Sequence, residues 1–139
     1  MKKVLLDTDI FSEIRKGINP VVFNRAKFYL WEFGFYTISM ITVTEIVKGW
    51  HKLKREDKIE QFLIDIKAAE ILTLDQKSSE LSGRISADLE KIGQPIGLAD
   101  SLIASIAIAN NLVLVTGNTA HYQRIQKLGY ELNLDNWRI

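Results

Sequence analysis

The sequence predicts an α/β fold in which a mainly parallel sheet lies between two layers of helices. Runs of consecutive apolar residues, typical of strands buried on both faces, occur at 4–6 and 112–116. Longer segments between such runs carry apolar residues at spacings of three or four, which is helical periodicity. There is no internal repeat and no linker rich in Pro, Gly or Ser. We therefore expect residues 1–139 to form one domain.

The elements are predicted in order from local signals. After the strand at 4–6, a helix covers 8–16 and stops at Gly17. The next helix has Asn19 as N-cap and Pro20 as its first residue. Further helices are predicted at 42–55, 57–66, 75–93 and 97–111, and further strands at 35–39, 69–74, 112–116 and, as an edge strand, within 130–137.

Composition limits the chemistry and the location. The chain has 139 residues, 47% of them hydrophobic, a net charge of +1 and no cysteine, which excludes disulfides and thiolate metal sites. The near-neutral charge gives no global attraction to nucleic acid, so any such binding must come from a local patch. No apolar stretch approaches the roughly 20 residues of a membrane span, and none follows Lys2 and Lys3 as in a signal peptide. We expect a cytoplasmic protein.

Acidic residues follow the first strand. Asp7 and Asp9 lie at its carboxyl end, where ligands bind in open α/β sheets. The alternative is that Asp7 or Thr8 only caps the helix that follows, since such residues favour this position. The two readings have equal weight from this stretch alone.

Glu45 has two interpretations as well. Thr42 and Glu45 fit a capping box, in which the glutamate reaches back to the N-cap amide. This helix also begins directly after the strand at 35–39, so the carboxylate could project over the carboxyl edge of the sheet. Taken singly, the capping box is favoured.

Asp100 is the most informative acid. The predicted helix around it is apolar or small on every side between 98 and 109, which is typical of a buried helix. We expect the carboxylate to be mostly desolvated and to need a partner or a cation, because an unpaired buried charge is costly. Asn118 follows the strand at 112–116 and by itself reads as a turn residue.

These residues converge on one edge of the predicted sheet. Three carboxylates and an amide fall at this edge, at Asp7, Glu45, Asp100 and Asn118. Hard oxygen ligands without cysteine suit Mg²⁺ or Mn²⁺ rather than zinc or copper. Clustered acids that hold such ions catalyse phosphoryl transfer and phosphodiester hydrolysis.

The chain resembles the PIN-domain ribonucleases and, among them, the VapC-type toxins of bacterial toxin-antitoxin pairs. The resemblance runs through "LLDTDIFSEI", "ITVTEIVKG", "IGLADSLIASIAIANNLVLVTGNTAHYQRI" and "LNLDNW", which together span nearly the whole chain. The third block is the most specific, because it joins a helix acid, an apolar helix, a strand and a Thr-Gly-Asn turn in the family's order. The implied fold is a PIN-like three-layer α/β/α sandwich with a mainly parallel five-stranded sheet.

The resemblance implies roles for individual residues. Asp7, Glu45 and Asp100 match the family's first three acids and would hold the ion. Asn118 stands where many members carry a fourth acid, which implies one firm Mg²⁺, with Mn²⁺ as a substitute and a second ion recruited only with RNA. Further matches are the site-lining Thr8 and Thr116, and His121, which stands where some relatives have an acid and receives no catalytic role.

The implied activity is metal-dependent endoribonucleolytic cleavage by water, leaving 5′-phosphate and 3′-hydroxyl ends. The implied substrate is a structured RNA, tRNA most often. The implied partners are a second copy of the chain and a VapB-like antitoxin whose C-terminal segment covers the active site.

Two surface features remain open from the sequence. Lys48, Lys52 and Arg55 stand at i, i+4 and i+7 on the predicted helix of Glu45 and could bind RNA phosphates, although such a run is more often a solvated face. The second helix carries Phe28 and Trp31 outside its apolar stripe. It is either buried on two sides or exposes an apolar surface for a partner.

Parts of the sequence also suggest two rival functions. A strand followed by "DTD" also resembles the start of haloacid-dehalogenase-type phosphatases, but Phe11 stands where that motif wants threonine or valine, and the lysine and late acid pair cannot be placed. A binding module with a degenerate PIN site is the second rival, and Asn118 is the residue that favours it.

Overall fold

Five short parallel strands form the centre of the fold. The computed structural model describes residues 1–139. The strands are β1 (Val4–Leu6), β2 (Thr37–Ser39), β3 (Glu70–Leu72), β4 (Val113–Val115) and β5 (Leu134–Asp135). One hydrogen-bonded sheet has the order β1-β4-β5, and β2 pairs with β3 in a second sheet. Strand β2 lies beside β1, so the order across the molecule is β3-β2-β1-β4-β5.

The predicted five-stranded parallel arrangement is confirmed, with one difference between β1 and β2. These two strands are neighbours but are not joined by a ladder. The amide of Val4 donates to the hydroxyl of the buried Tyr29 over 3.2 Å, so this donor is unavailable to β2. Strand β5 lies at an edge of its sheet, as the sequence predicts.

Seven α-helices and one 3₁₀ turn connect the strands. The helices are α1 (Thr8–Lys16), α2 (Pro20–Phe33), α3 (Met40–Lys52), α4 (Glu56–Asp65), α5 (Gln76–Lys91), α6 (Leu98–Ala109) and α7 (Thr119–Gln126), with the 3₁₀ turn at Ile66–Ala68. Local signals fix several of their ends. The Asn19 side chain accepts from two amides of α2, and Pro20 is the first residue of that helix. Gly17 ends α1 at φ +66°.

The structure differs from the sequence prediction at both ends of α3 and in having helix α7. Helix α3 begins at Met40 and not at 42, because the Ser39 hydroxyl caps it by accepting from the Thr42 amide. It ends at Lys52 and not at 55, and Lys54 has a left-handed φ of +56°. Helix α7 is absent from the sequence prediction. Its apolar stripe is short, with Tyr122 and Ile125 as its buried residues, which is too little periodicity to predict a helix.

Two hydrophobic cores lie on opposite faces of the strands. In β1, Val4 and Leu6 belong to one core and Leu5 to the other, as the twofold alternation of a strand requires. The first core is completed by residues of α1 to α4, and the second by residues of α5 to α7. The chain is therefore a three-layer α/β/α sandwich.

Helix α2 buries one face only. Val22, Ala26 and Tyr29 enter the core, whereas Phe28 and Trp31 are 68% and 89% exposed. The prediction that this helix is buried on two sides is wrong, and the exposed apolar surface is the correct alternative.

None of the seven helices combines the length and the hydropathy that a membrane span requires.

Candidate active site at the carboxyl edge of the strands

Asp7 lies at the centre of the predicted edge, directly after β1. Its Oδ1 accepts from the Thr8 amide (2.9 Å) and caps α1, while its Oδ2 accepts from the Thr116 hydroxyl (2.8 Å) across the sheet. The Thr116 hydroxyl in turn accepts from the Asn118 amide (3.0 Å). The capping and functional readings of Asp7 are therefore compatible, because its two oxygens face different partners.

Burial makes Asp7 a weak acid. The residue is 7% exposed, and desolvation, followed by the charge of Asp9, raises the pKa of its carboxyl from 3.8 to about 7. The hydrogen bonds from Thr116 and the Thr8 amide lower this pKa only in part, and Asp100 adds a smaller increase. A cation placed beside Asp7 would reverse the shift by favouring the ionised form.

Glu45 joins this edge through threonine hydroxyls and does not form the predicted capping box. It lies beyond the first turn of α3, whose N-cap is Ser39. Its Oε1 accepts from the Thr8 hydroxyl (2.6 Å), and this hydroxyl also lies 2.9 Å from that of the buried Thr42. The interpretation that places the Glu45 carboxylate over the sheet edge is the correct one.

Asp100 is held by two consecutive residues of α7. Its Oδ2 is 2.9 Å from His121 Nε2, and its Oδ1 accepts from the Tyr122 hydroxyl over 3.2 Å. The side chain is 33% exposed, so the carboxylate is mostly but not fully buried. Asp100 lies in the first turn of α6, at the open end of that buried helix. The expectation of a partner is confirmed, and the partners are an imidazole and a phenol.

A second acidic group adjoins the site. Asp9 accepts from the Gly117 amide (3.0 Å), and burial raises the pKa of its carboxyl. Arg138 reaches this point from the C-terminus, with an amino nitrogen 3.5 Å from Asp9 and 2.7 Å from Glu13. The guanidinium packs on Gly117, where a Cβ would lie 1.8 Å from Arg138 Nη1. A larger residue at 117 would displace the guanidinium.

Asn118 stands at the N-cap of α7, with an exposed side chain that makes no capping hydrogen bond. Its carbonyl accepts from the amides of His121 and Tyr122, and so starts the helix that carries the partners of Asp100. The sequence assigns no catalytic role to His121 and does not single out Tyr122. The only available signal is their position three and four residues after Asn118, about one helical turn into α7.

The donors at this edge are oxygens of the hard type. Asp7, Asp100 and Glu45 bring carboxylates, and Thr8 and Thr116 bring hydroxyls that hold two of them. No three acidic or histidine side chains form a ready-made cage for a metal ion. Mg²⁺ needs no such cage, because it keeps several waters and is held by one or two carboxylates. The donor set therefore fits this ion.

A groove of about 560 Å³ opens beside Glu45, between α1, α3 and α4. Its basic residues are Arg15, Lys16 and Lys58. The predicted basic stripe is wrong as a helical stripe: Lys48 and Lys52 are exposed on α3, but Arg55 lies beyond its end. The Arg55 guanidinium donates two hydrogen bonds to Asp57, so its charge is already paired.

Comparison with known proteins gives a consistent result. The PIN domain family model matches residues 4–128. The chain is 32% identical over 135 residues to a tRNA(fMet)-specific endonuclease VapC of Shigella flexneri, covering 94% of this chain and 98% of the relative. It is 37% identical over 101 residues to Ribonuclease VapC2 of Rickettsia felis, covering 72% of each.

Solved structures agree with the sequence matches. The DNA-bound VapBC of Salmonella typhimurium has a TM-score of 0.81 at 30% identity, covering 99% of both chains. VapBC2 of Rickettsia felis, bound to a DNA fragment from its promoter, has a TM-score of 0.80 at 31% identity, covering 96% of this chain and 98% of the other. Both similarities cover nearly the whole of this chain.

Proposed function

Since the chain belongs to the PIN-domain family and, within it, to the VapC ribonucleases, we propose that it is a Mg²⁺-dependent endoribonuclease and the toxin of a VapBC-type pair. The observation that supports this most strongly is the meeting of Asp7, Glu45 and Asp100 at one sheet edge. These residues come from three different parts of the chain, and each accepts a hydrogen bond from a different hydroxyl group. Membership of this family leaves no reason to retain the phosphatase alternative.

Asp7 and Asp100 are the proposed direct ligands, with Glu45 as the third acid. Mn²⁺ is the proposed substitute. A bound divalent ion would supply a water acidified toward neutral pH and would stabilise charge on the leaving oxygen. Asp7 must lose its proton to bind the ion, because burial favours its neutral form in the free protein. No covalent intermediate on the protein is required.

The threonines position these acids. Thr116 donates to one oxygen of Asp7, and Thr8 donates to Glu45, so each hydroxyl fixes a carboxylate orientation before any ion arrives. Asn118 is the proposed fourth site residue. Its amide side chain carries no charge, so a second ion would be bound weakly until RNA phosphates add theirs.

The proposed substrate is a structured RNA, with tRNA first because one similar protein is named a tRNA(fMet)-specific endonuclease. An RNA substrate of this kind is found in the cytoplasm, so we propose that the chain cleaves RNA there. Lys16 and Lys58 line the groove beside Glu45 and could bind backbone phosphates there, whereas Arg15 contributes less because it pairs with Asp65. The exposed Lys48 and Lys52 could extend this contact, and Arg55 contributes less because Asp57 already neutralises it.

A VapB-like antitoxin and a second copy of the chain are the proposed partners. The similar solved structures are VapBC assemblies. The exposed Phe28 and Trp31 of α2 add a contiguous apolar surface, which in soluble proteins usually marks an interaction site.

RNA cleavage by the purified chain tests the proposed function. Total RNA is incubated with the chain and Mg²⁺, and new 5′-phosphate ends are mapped by sequencing. We expect cuts at one or a few sites, lost with a chelator and reduced more than about a hundredfold in Asp100→Asn. Asp88→Asn is the matched control, because Asp88 also accepts a tyrosine hydroxyl, that of Tyr130 at 2.6 Å, but lies exposed on α5.

Glu45→Gln separates the catalytic role of this residue from a structural one. Glutamine keeps an oxygen acceptor for the Thr8 hydroxyl but removes the negative charge. Full activity in this variant would exclude Glu45 as a metal-holding acid. RNA binding by the wild type without any new 5′ ends would instead favour the binding module with a degenerate site.

A further inference from the structure

Tyr122 lies outside the residues that the proposed function uses, yet its hydroxyl reaches the centre of the site. Its ring is fully buried in the second core, among residues of α5, α6 and β4. The hydroxyl leaves that core and donates to Asp100 Oδ1 over 3.2 Å. A buried phenol requires a hydrogen-bond partner, and the partner here is one of the two proposed direct ligands.

Asp7 lies near the same hydroxyl. Burial and the charges of Asp7 and Asp100 raise the pKa of Tyr122 well above its ordinary value. The hydrogen bond that this hydroxyl makes is the one to Asp100. Asp7 follows β1 and Asp100 lies in the first turn of α6, so the phenol on α7 meets an acid of another element beside the end of β1.

His121 completes the arrangement around Asp100. Its Nε2 lies 2.9 Å from Oδ2, the oxygen that Tyr122 does not contact. The two oxygens of Asp100 are thus held by neighbouring residues of one short helix. Rotation of this carboxylate would break at least one of these contacts.

We propose that Tyr122 is a positioning residue that holds Asp100 in the orientation that binds a divalent cation. This inference rests on the proposed metal site and goes beyond it, because it assigns a function to a residue that is not itself a ligand. A neutral phenol adds no positive charge that would repel the ion, and each carboxylate oxygen can accept a hydrogen bond and still bind a metal. Without the hydroxyl, Asp100 keeps only its contact with His121 and must be ordered by the ion.

Mn²⁺ binding to the metal-free chain tests the proposal without any RNA. Free Mn²⁺ is measured by electron paramagnetic resonance during titration of the wild type, Tyr122→Phe and Tyr130→Phe. We expect Tyr122→Phe to raise the dissociation constant about tenfold, as loss of an outer hydrogen-bond partner typically does. Tyr130→Phe is the matched control, because it also removes a hydroxyl bound to an aspartate but does so on the surface.

The outcomes are distinct. Equal or tighter Mn²⁺ binding by Tyr122→Phe would overturn the positioning role and leave the proposed ribonuclease intact. Absence of Mn²⁺ binding by the wild type would overturn the metal site and this inference together. Thermal unfolding of each metal-free variant establishes that it is folded.

A second measurement uses the wild-type chain and does not depend on folding of Tyr122→Phe. The chain has four tyrosines, and ¹³C labelling at Cζ gives one resonance for each. Mg²⁺ should shift the resonance that survives in Tyr29→Phe, Tyr36→Phe and Tyr130→Phe alike, which assigns it to Tyr122. A Tyr122 resonance unmoved by saturating Mg²⁺ would contradict the proposal.

Discussion

Replacement of Asp7 by asparagine should stabilise the metal-free protein, and the gain should grow with pH. The pKa of Asp7 is about 7 in the folded chain, against an ordinary value of 3.8. A buried acid with a raised pKa binds its proton more tightly when folded than when unfolded. Its contribution to stability is therefore greatest below the unfolded pKa and is lost as pH rises through the folded pKa.

The size of the effect follows from these two pKa values. The difference is about 3 units, so full ionisation costs about 4 kcal/mol at about 1.4 kcal/mol per unit. Part of this cost is already present at pH 5, because the unfolded carboxyl is ionised there. Between pH 5 and pH 8 the wild type should lose about 2 to 3 kcal/mol that Asp7→Asn does not lose.

Urea unfolding in the presence of a chelator measures this difference. The free energy of unfolding is determined for both proteins at pH 5 and at pH 8, and the constant cost of losing a carboxylate acceptor cancels in the comparison. Asp57→Asn serves as the control, since hydrogen bonding to Arg55 lowers the pKa of Asp57 to about 2 and it is ionised at both pH values. An identical stability difference at pH 5 and pH 8 for Asp7→Asn would refute the argument from burial.

Three further predictions concern residues around the site and on the surface. Gly117→Ala should displace the guanidinium of Arg138, because the new Cβ would lie 1.8 Å from it. We expect the free energy of unfolding, measured in urea, to fall by about 1 kcal/mol. An unchanged free energy of unfolding would contradict this contact. Asn118→Asp should lower the Mn²⁺ dissociation constant about fivefold by adding a charge, and the gain should shrink at high salt. Trp31→Ser should change the free energy of unfolding by less than about 0.5 kcal/mol, since the side chain is 89% exposed. The same change should weaken binding of the antitoxin in a pull-down assay. A large loss of stability would show instead that Trp31 packs within the chain.

Several features could be predicted from neighbouring residues alone. The apolar run of β1, the Asn19 and Pro20 start of α2 and the Gly17 stop of α1 depend on local conformational preferences, and all are confirmed. The sequence also placed Asp7 correctly at a carboxyl strand end. Parallel strands put their carboxyl ends at one edge, so the meeting of Asp7 with Thr116 follows from the direction of β1 and β4.

Tertiary packing decided how each acid is used. Glu45 satisfies the local pattern of a capping box, but Ser39 caps the helix, and Thr8, 37 residues away, bonds to the carboxylate instead. Asp100 acquires its partners from a helix with too little apolar periodicity to predict, 21 and 22 residues further on. The sequence by itself determined which residue types stand at the ends of which strands, because that depends on short-range preferences. Which hydroxyl or imidazole each carboxylate meets depends on how helices pack across the sheet, and only the folded chain specifies those contacts.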